Sequence, residues 1–216
     1  MSTLSSMIEI NYNRLSQEMK DEFGRISKLP NCITLWCERR RWTHLPELPN
    51  CQMLWCDHNQ LTCLPELPQC LSLWCDHNQL TCLPELPRCR RLVCDHNQLT
   101  GLPELPHCQE LWCGYNQLTG LPELPQCRTL VCDHNQLNRL PELQNCKKLW
   151  CDGNPNLYYP SSMALRFQLE DPSPGHRQVF LALRHLLLEG TVSPKSPLSQ
   201  FFDPYLINKI THLVVD

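Results

Sequence analysis

The residues of this chain that could do chemistry lie together in one short phrase. Residues 51–69 read CQMLWCDHNQLTCLPELPQ, and residues 70–88 read CLSLWCDHNQLTCLPELPR. Each copy places two cysteines five positions apart, beside an aspartate and a histidine. Cysteine and histidine at short spacing are zinc ligands, and aspartate with histidine serves acid–base hydrolysis. The phrase therefore raises two hypotheses, a metal centre and a hydrolytic site.

The repetition of this phrase argues against both hypotheses. Catalysis needs an individual constellation whose members have distinct roles. Columns of identical groups at one spacing indicate the copying of a structural unit instead. We therefore expect a non-enzymatic protein with no catalytic residue, no metal ligand and no bound cofactor.

The period of the repeat predicts the fold. A spacing close to 20 residues is typical of a solenoid, and here one leucine recurs every 19 residues: Leu35, Leu54, Leu73, Leu92, Leu111, Leu130 and Leu149. Within the unit, the pattern L-x-C-x-x-N-x-L resembles the leucine-rich repeat, with cysteine at two places where that family more often has leucine. The resemblance implies a right-handed solenoid with a parallel β-sheet on its concave face. We assign seven repeats to residues 32–156.

Each part of the unit has a predicted structural role. The stretch x-L-W-C-D alternates between inward and outward residues, as a strand does. The segment LPELP should be extended or polyproline-like on the convex side, because proline disfavours helix at and before its own position. A column of asparagines should bond backbone groups where the chain leaves the sheet; it comprises Asn59, Asn78, Asn97, Asn116, Asn135 and Asn154.

The two ends of the array should be covered, since stacking leaves an apolar edge at each end. We predict an N-terminal helical cap in residues 1–31, with a helix within 4–23, and a C-terminal helical cap in residues 157–216. The first unit departs from the pattern in the way a terminal unit would. There Arg40 replaces the asparagine and Trp42 replaces a core leucine.

Fourteen of the sixteen cysteines occupy the first and sixth positions of the unit. Both positions point inward in the leucine-rich pattern, and a free cysteine behaves as a small buried hydrophobic residue. We predict buried thiols, while zinc binding and a ladder of disulfides between coils remain alternatives. The other two, Cys63 and Cys82, should lie nearer the surface.

The outward residues of the strands predict a binding surface for another protein. Exposed tryptophan is enriched at interfaces. The alternatives are self-association, coverage by the chain's own C-terminal segment, and tryptophans that only pack on each other. The predicted binding residues on the concave face are Trp36, Trp55, Trp74, Trp112, Trp150, Asp57, Asp76, Asp95, Asp133, His58, His77, His96, Tyr115 and His134.

Composition argues against other classes of partner. The net charge is −3, and the aspartate column leaves no basic track for a nucleic-acid backbone. No stretch approaches the roughly 20 apolar residues that span a membrane, and the first residues do not read as a secretory signal. We expect a cytoplasmic protein.

Two groups of proteins have repeats that resemble these. The LPELP units are similar to those of bacterial leucine-rich effectors, some of which carry a C-terminal ubiquitin ligase with a catalytic cysteine. No cysteine follows Cys151, so that chemistry is not carried over. The cysteine-rich form resembles repeat proteins of large DNA viruses of amoebae, such as marseilleviruses. This resemblance implies host cytoplasm or the virion as the location. It also implies an alternative function, a structural or assembly component of a virus particle.

Overall fold

The 19-residue period places equivalent positions of successive coils side by side in one parallel sheet. A computed structural model describes residues 4–157. Its sheet contains eight strands in chain order: β1 (Glu9–Asn11), β2 (Thr34–Trp36), β3 (Met53–Trp55), β4 (Ser72–Trp74), β5 (Arg91–Val93), β6 (Glu110–Trp112), β7 (Thr129–Val131) and β8 (Lys148–Trp150). All neighbouring strands are parallel.

The register of the sheet follows the repeat without a shift. Leu35 pairs with Leu54, and Leu54 pairs with Leu73. Six such pairings join β2 to β8, so the seven units make about six full turns. The predicted parallel solenoid is confirmed.

Each strand is shorter than predicted, with three residues in place of five. The backbone nevertheless continues to pair between coils beyond the strand. The N–H of Cys56 donates to the carbonyl of Trp74 at 2.8 Å, and the N–H of His58 donates to the carbonyl of Asp76 at 3.0 Å. The chain turns at His58, where φ is +54°, and this turn ends the extended conformation.

The asparagine column joins each coil to the coil before it. The Asn97 side-chain oxygen accepts a hydrogen bond from the N–H of Leu80 at 3.0 Å. Its amide nitrogen donates to the carbonyls of Cys75 and Cys94 at 3.0 and 3.1 Å. One buried side chain thus satisfies backbone groups of two coils, as predicted, and the other members of the column repeat these contacts.

The LPELP segment is extended and then turns back towards the sheet. No residue between 32 and 157 is helical. The second proline sits in a tight turn, in which the N–H of Cys70 donates to the carbonyl of Leu67 at 3.1 Å. Proline suits the second position of such a turn because its φ is already fixed near −65°. This side of the solenoid confirms the extended conformation predicted for it.

The core is built from leucine and cysteine in every coil. In the second unit, the side chains of Leu54, Leu61 and Leu67 and of Cys51 and Cys56 are fully buried. The third to sixth units repeat this arrangement. Three leucines with two smaller thiols fill a coil of only 19 residues, so the inward placement of the cysteines is confirmed.

The N-terminal segment combines a strand with a short helix. Strand β1 pairs with β2 and buries Ile10 beside Leu35. The helix α1 (Gln17–Phe23) begins after Ser16, whose side-chain oxygen accepts from the N–H of Met19. Phe23 stacks on Trp42 with ring centroids 5.0 Å apart. The helix is therefore shorter than the predicted one, and a strand that sequence reasoning missed covers the first repeat strand.

The predicted C-terminal helical cap falls outside the described residues and stays a prediction. Within residues 4–157, no helix is long and apolar enough to cross a membrane.

The asparagine contacts predict a large loss of stability when one is removed. Asn97→Ala leaves the buried N–H of Leu80 without its acceptor. It also removes one of the two amide donors to the carbonyl of Cys75, which keeps the hydrogen bond from Asn78. Because an orphaned buried group costs about 1–3 kcal/mol, we expect the free energy of unfolding to fall by about 2 kcal/mol. Urea denaturation followed by circular dichroism measures this change.

The neighbouring exposed residue provides the control for this experiment. Gln98→Ala should change the free energy of unfolding by less than about 0.5 kcal/mol. Equal unfolding midpoints for the two variants would show that the asparagine contacts contribute little.

Candidate functional site

The predicted binding residues form three neighbouring columns on the outward side of the strands, here called the strand face. The tryptophan column comprises Trp36, Trp55, Trp74, Val93, Trp112, Val131 and Trp150. The aspartate column comprises Glu38, Asp57, Asp76, Asp95, Gly114, Asp133 and Asp152. The histidine column comprises Arg39, His58, His77, His96, Tyr115, His134 and Gly153.

The first three tryptophans pack on one another. The ring centroids of Trp36 and Trp55 are 5.1 Å apart, and those of Trp55 and Trp74 are 4.6 Å apart, with nearly parallel planes. The guanidinium of Arg91 lies 5.8 Å from the centroid of Trp74 and pairs with Glu110 at 2.8 Å. These three indoles already contact other rings, so less of their surface is free than the sequence suggests.

Trp112 has a different environment. Its register neighbours in the column are Val93 and Val131, which offer no ring to stack on. Its side chain is 41% exposed, and that of Trp150 is 36% exposed. Val93 and Val131 therefore divide the column into a packed stack of three tryptophans and two accessible tryptophans, Trp112 and Trp150.

The histidine column is a continuous stack of rings. Successive centroids from His58 through His77, His96 and Tyr115 to His134 are 4.2–4.3 Å apart. Most neighbouring planes lie within 9° of parallel, and the pair of His77 and His96 is tilted by 30°. The ring edges remain exposed to solvent.

The histidine column has a left-handed backbone, which sequence reasoning missed. From His58 to His134 the φ of the column residues lies between +52° and +54°, while Arg39 has +60° and Gly153 has +67°. Histidine is one of the residue types enriched in this conformation. Gly153, which ends the column directly before Asn154, is the sequence feature that could have predicted this backbone conformation.

The aspartates mostly pair with the adjacent histidine. Asp57 lies 3.0 Å from Nδ1 of His58, and Asp133 lies 3.0 Å from Nδ1 of His134. The carboxylates are only about 20% exposed. Each imidazole therefore separates its carboxylate from solvent, and the ring edges are the more accessible part of the face.

Asp95 departs from this pairing. Its Oδ1 accepts a hydrogen bond of 2.6 Å from the backbone N–H of Gly114. A Cβ added at Gly114 would lie 2.6 Å from Oδ1 of Asp133, so the carboxylate of Asp133 would have to move to make room for a side chain there. Burial, with the neighbouring charges of Asp76 and Asp133, raises the pKa of Asp95 to about 6. Burial also lowers the pKa of His96.

The buried thiols are inert in this environment. The thiol of Cys51 donates to the carbonyl of Met53 at 3.3 Å, and equivalent cysteines repeat this bond. Burial raises the pKa of Cys32 to about 11 and that of Cys70 to about 12. Because the thiolate is the reactive form and the metal ligand, these side chains serve packing. All sixteen cysteines lie in the described region; Cys63 and Cys82 are exposed as predicted, and the other fourteen are buried.

Comparison with solved structures places this fold among leucine-rich repeat proteins. A structure of YopM, a leucine-rich effector from Yersinia pestis, is 32% identical over 57% of this chain and 38% of its own, with a TM-score of 0.54. The leucine-rich repeat domain of a Shigella effector is 29% identical over 71% of this chain and 74% of that domain, with a TM-score of 0.59. A leucine-rich repeat protein from Leptospira interrogans, 23% identical over 74% of this chain and 53% of its own with a TM-score of 0.51, shows the fold alone.

Together with the unshifted 19-residue register, these similarities define a leucine-rich repeat solenoid. The match spans less than two fifths of the length of the YopM structures. No family model matches the chain, and no curated protein does.

The thiol environments predict a two-step reaction with Ellman's reagent. Two thiols, Cys63 and Cys82, should react rapidly in the native protein, and all sixteen should react in denaturant. The double variant Cys63→Ser/Cys82→Ser should lose the rapid phase. Fewer than sixteen reactive thiols in denaturant without reductant would reveal disulfides and overturn the buried-thiol interpretation.

The environment of Asp95 predicts a pH-dependent stability. Between about pH 4 and 6 the folded protein binds more protons at Asp95 than the unfolded chain, whose carboxyl has a pKa of about 3.9. Stability contributed by this group therefore falls as the pH rises through that window. Asp95→Asn keeps an oxygen that can accept from Gly114 but carries no charge. We expect this variant to be more stable than wild type by about 1 kcal/mol at pH 7.5, after allowance for solvent screening.

Urea unfolding at pH 4 and at pH 7.5 measures this difference. The gain should disappear near pH 4. Asp57→Asn provides the control, because it removes a carboxylate that is paired with His58 and does not act on Asp95, so it should not stabilise the protein. A constant difference between Asp95→Asn and wild type at both pH values would contradict the assignment.

Proposed function

We propose that this protein is a non-enzymatic, protein-binding leucine-rich repeat module that contacts its partner through the strand face. The observation that carries the proposal is Trp112, a large apolar side chain that is 41% exposed on an otherwise regular surface. Its neighbours in the column are two valines, which cover less of the indole than a stacked ring would. Tryptophan in such a setting is a frequent hot spot of protein interfaces.

The surroundings of Trp112 suit a protein partner. The strand face also carries the stacked rings of the histidine column, which offer polar groups at regular intervals. Arg91 and Glu110 form an ion pair on neighbouring strands. An apolar centre with a polar rim is the usual arrangement of a protein interface. The aspartate column makes a nucleic-acid partner a poor fit.

The solved structures that resemble this chain add support of a general kind. The Yersinia and Shigella proteins are described as effectors, and solenoids of this type bind proteins along an extended surface. We propose the same general role here, in the cytoplasm of a host cell. The identity of the partner is a matter for experiment.

The alternative is a structural or assembly component of a virus particle, in which the same tryptophans make fixed contacts. It depends on the resemblance of the cysteine-rich repeats to those of amoeba viruses. No contact among residues 4–157 favours it over the binding module, and self-association is measured within the test below.

The test is affinity capture with the full chain from extracts of amoebae, the host that the viral resemblance implies. Trp112→Ala should reduce the captured partner at least about tenfold, because truncation of a hot-spot tryptophan costs 2 kcal/mol or more. Quantitative mass spectrometry compares wild type with the variant. Analytical ultracentrifugation of both proteins shows whether Trp112 joins copies of this chain instead.

Glu104→Ala provides the matched control. Glu104 is exposed on the LPELP side, so its loss should leave the captured set unchanged. If Trp112→Ala, with unaltered urea unfolding, retains the same proteins as Glu104→Ala, the strand face is not the binding surface.

A further inference from the structure

Two adjacent repeat units, residues 51–69 and 70–88, bring three metal-binding groups together on the strand face. Oδ2 of Asp76 lies 3.0 Å from Nδ1 of His77 and 3.9 Å from Nδ1 of His58. The three donor atoms all lie within 4.8 Å of one another. Among residues 4–157, no other group of three or more histidine, cysteine or acidic side chains is so close. From this geometry we propose that His58, Asp76 and His77 bind one divalent zinc-like ion.

The distances fit such an ion with small adjustments. Zinc bonds of about 2.0–2.1 Å in tetrahedral geometry place neighbouring ligand atoms about 3.3 Å apart. The separations of 3.0 and 3.9 Å from Asp76 bracket that value. The histidine side chains are 40% and 45% exposed, whereas Asp76 is only 17% exposed. The carboxylate is therefore the fixed ligand, and the more exposed imidazoles are the groups that must move towards the ion.

The hydrogen bonds at this site can be exchanged for metal bonds without a change in imidazole charge. In neutral imidazole, an Nδ1–H that donates to the carboxylate leaves no lone pair on that nitrogen. On binding, the ion replaces this proton, which moves through solvent to Nε2. The two rings are stacked within 8° of parallel, so they must open for both lone pairs to converge. Loss of this ring contact accompanies binding.

A second carboxylate lies beside the site. Oδ2 of Asp57 is 3.0 Å from Nδ1 of His58, so it adds negative charge beside the ion, while water completes the coordination. A cation between Asp57 and Asp76 also relieves the repulsion between two neighbouring carboxylates. Two imidazoles with carboxylate oxygens favour zinc, cobalt, nickel or copper over calcium and magnesium, which prefer ligand sets made only of oxygen.

The aspartate and histidine columns differ in the later units, which explains why this site forms in one pair of adjacent units. In the next unit, Asp95 is turned away to the backbone of Gly114. Beyond it, Tyr115 takes the place of a histidine, which leaves His134 with one carboxylate and no imidazole neighbour. The copies are therefore not equivalent. The proposal departs from the sequence-based expectation of no metal ligand, which depended on their equivalence.

The test uses the full chain with Cys63→Ser and Cys82→Ser, so that exposed thiols do not bind the probe. Zinc ion is titrated by calorimetry, and cobalt ion by visible absorbance. We expect one site, with affinity reduced at least about tenfold in His58→Asn, Asp76→Asn and His77→Asn. Asparagine tolerates the left-handed backbone at the two histidine positions, so these variants retain the turn.

His134→Asn is the matched control, since it removes an identical histidine–aspartate pair that has no second imidazole. It should bind zinc as tightly as the parent protein. Imidazole ¹⁵N resonances provide an independent readout in the parent protein, where zinc should shift Nδ1 of His58 and His77 and leave His134 unchanged. Absence of a stoichiometric site, equal weakening by His134→Asn, or shifts confined to other histidines would each overturn the proposal.

Discussion

Every side chain in the array must lie against the equivalent side chain of the next coil. The unshifted 19-residue register imposes this constraint, because strands about 4.8 Å apart bring equivalent positions into contact. Leucines meet this condition by packing, and aromatic rings meet it by stacking, as the centroid distances of 4.2–5.1 Å show. Asparagine meets it by bonding the backbone of the preceding coil rather than its own copy. Only carboxylates repel their copies, and each of Asp57, Asp76 and Asp133 has an imidazole beside it.

The same constraint makes departures from the repeat informative. A valine on each side of Trp112 removes its stacking partners and leaves an accessible indole. A glycine at 114 removes a carboxylate and offers its backbone N–H to Asp95. In both cases, the residue that departs from the repeat alters the environment of the side chain next to it. The positions at which one unit differs from the next are therefore the ones that can give a repeat protein its specific function.

The features that depend on the 19-residue period could be predicted from the sequence, whereas features that depend on single residues were missed. Seven leucines in phase were enough for the parallel sheet and the buried cysteines, and prolines were enough for a convex side without helix. Strand β1 was missed because its residues, Glu9–Asn11, lie outside the repeat and pair only through tertiary contact. The left-handed turn was missed because alternation alone made His58 look like one more strand residue. The two environments of tryptophan, stacked and accessible, depend on side-chain geometry that a pattern does not carry.

The unshifted register also has an evolutionary consequence. Each coil contacts the preceding and the following coil through equivalent residues. A gene rearrangement that adds or deletes one whole unit therefore rejoins matching surfaces and conserves the contacts of leucine, cysteine and asparagine. A rearrangement out of phase by a single codon instead turns the core residues of a strand outward. Unequal recombination between the nearly identical segments 51–69 and 70–88 would thus yield folded proteins of altered length. It would also erase or duplicate the junction between His58 and His77, so the surface can diversify faster than the scaffold.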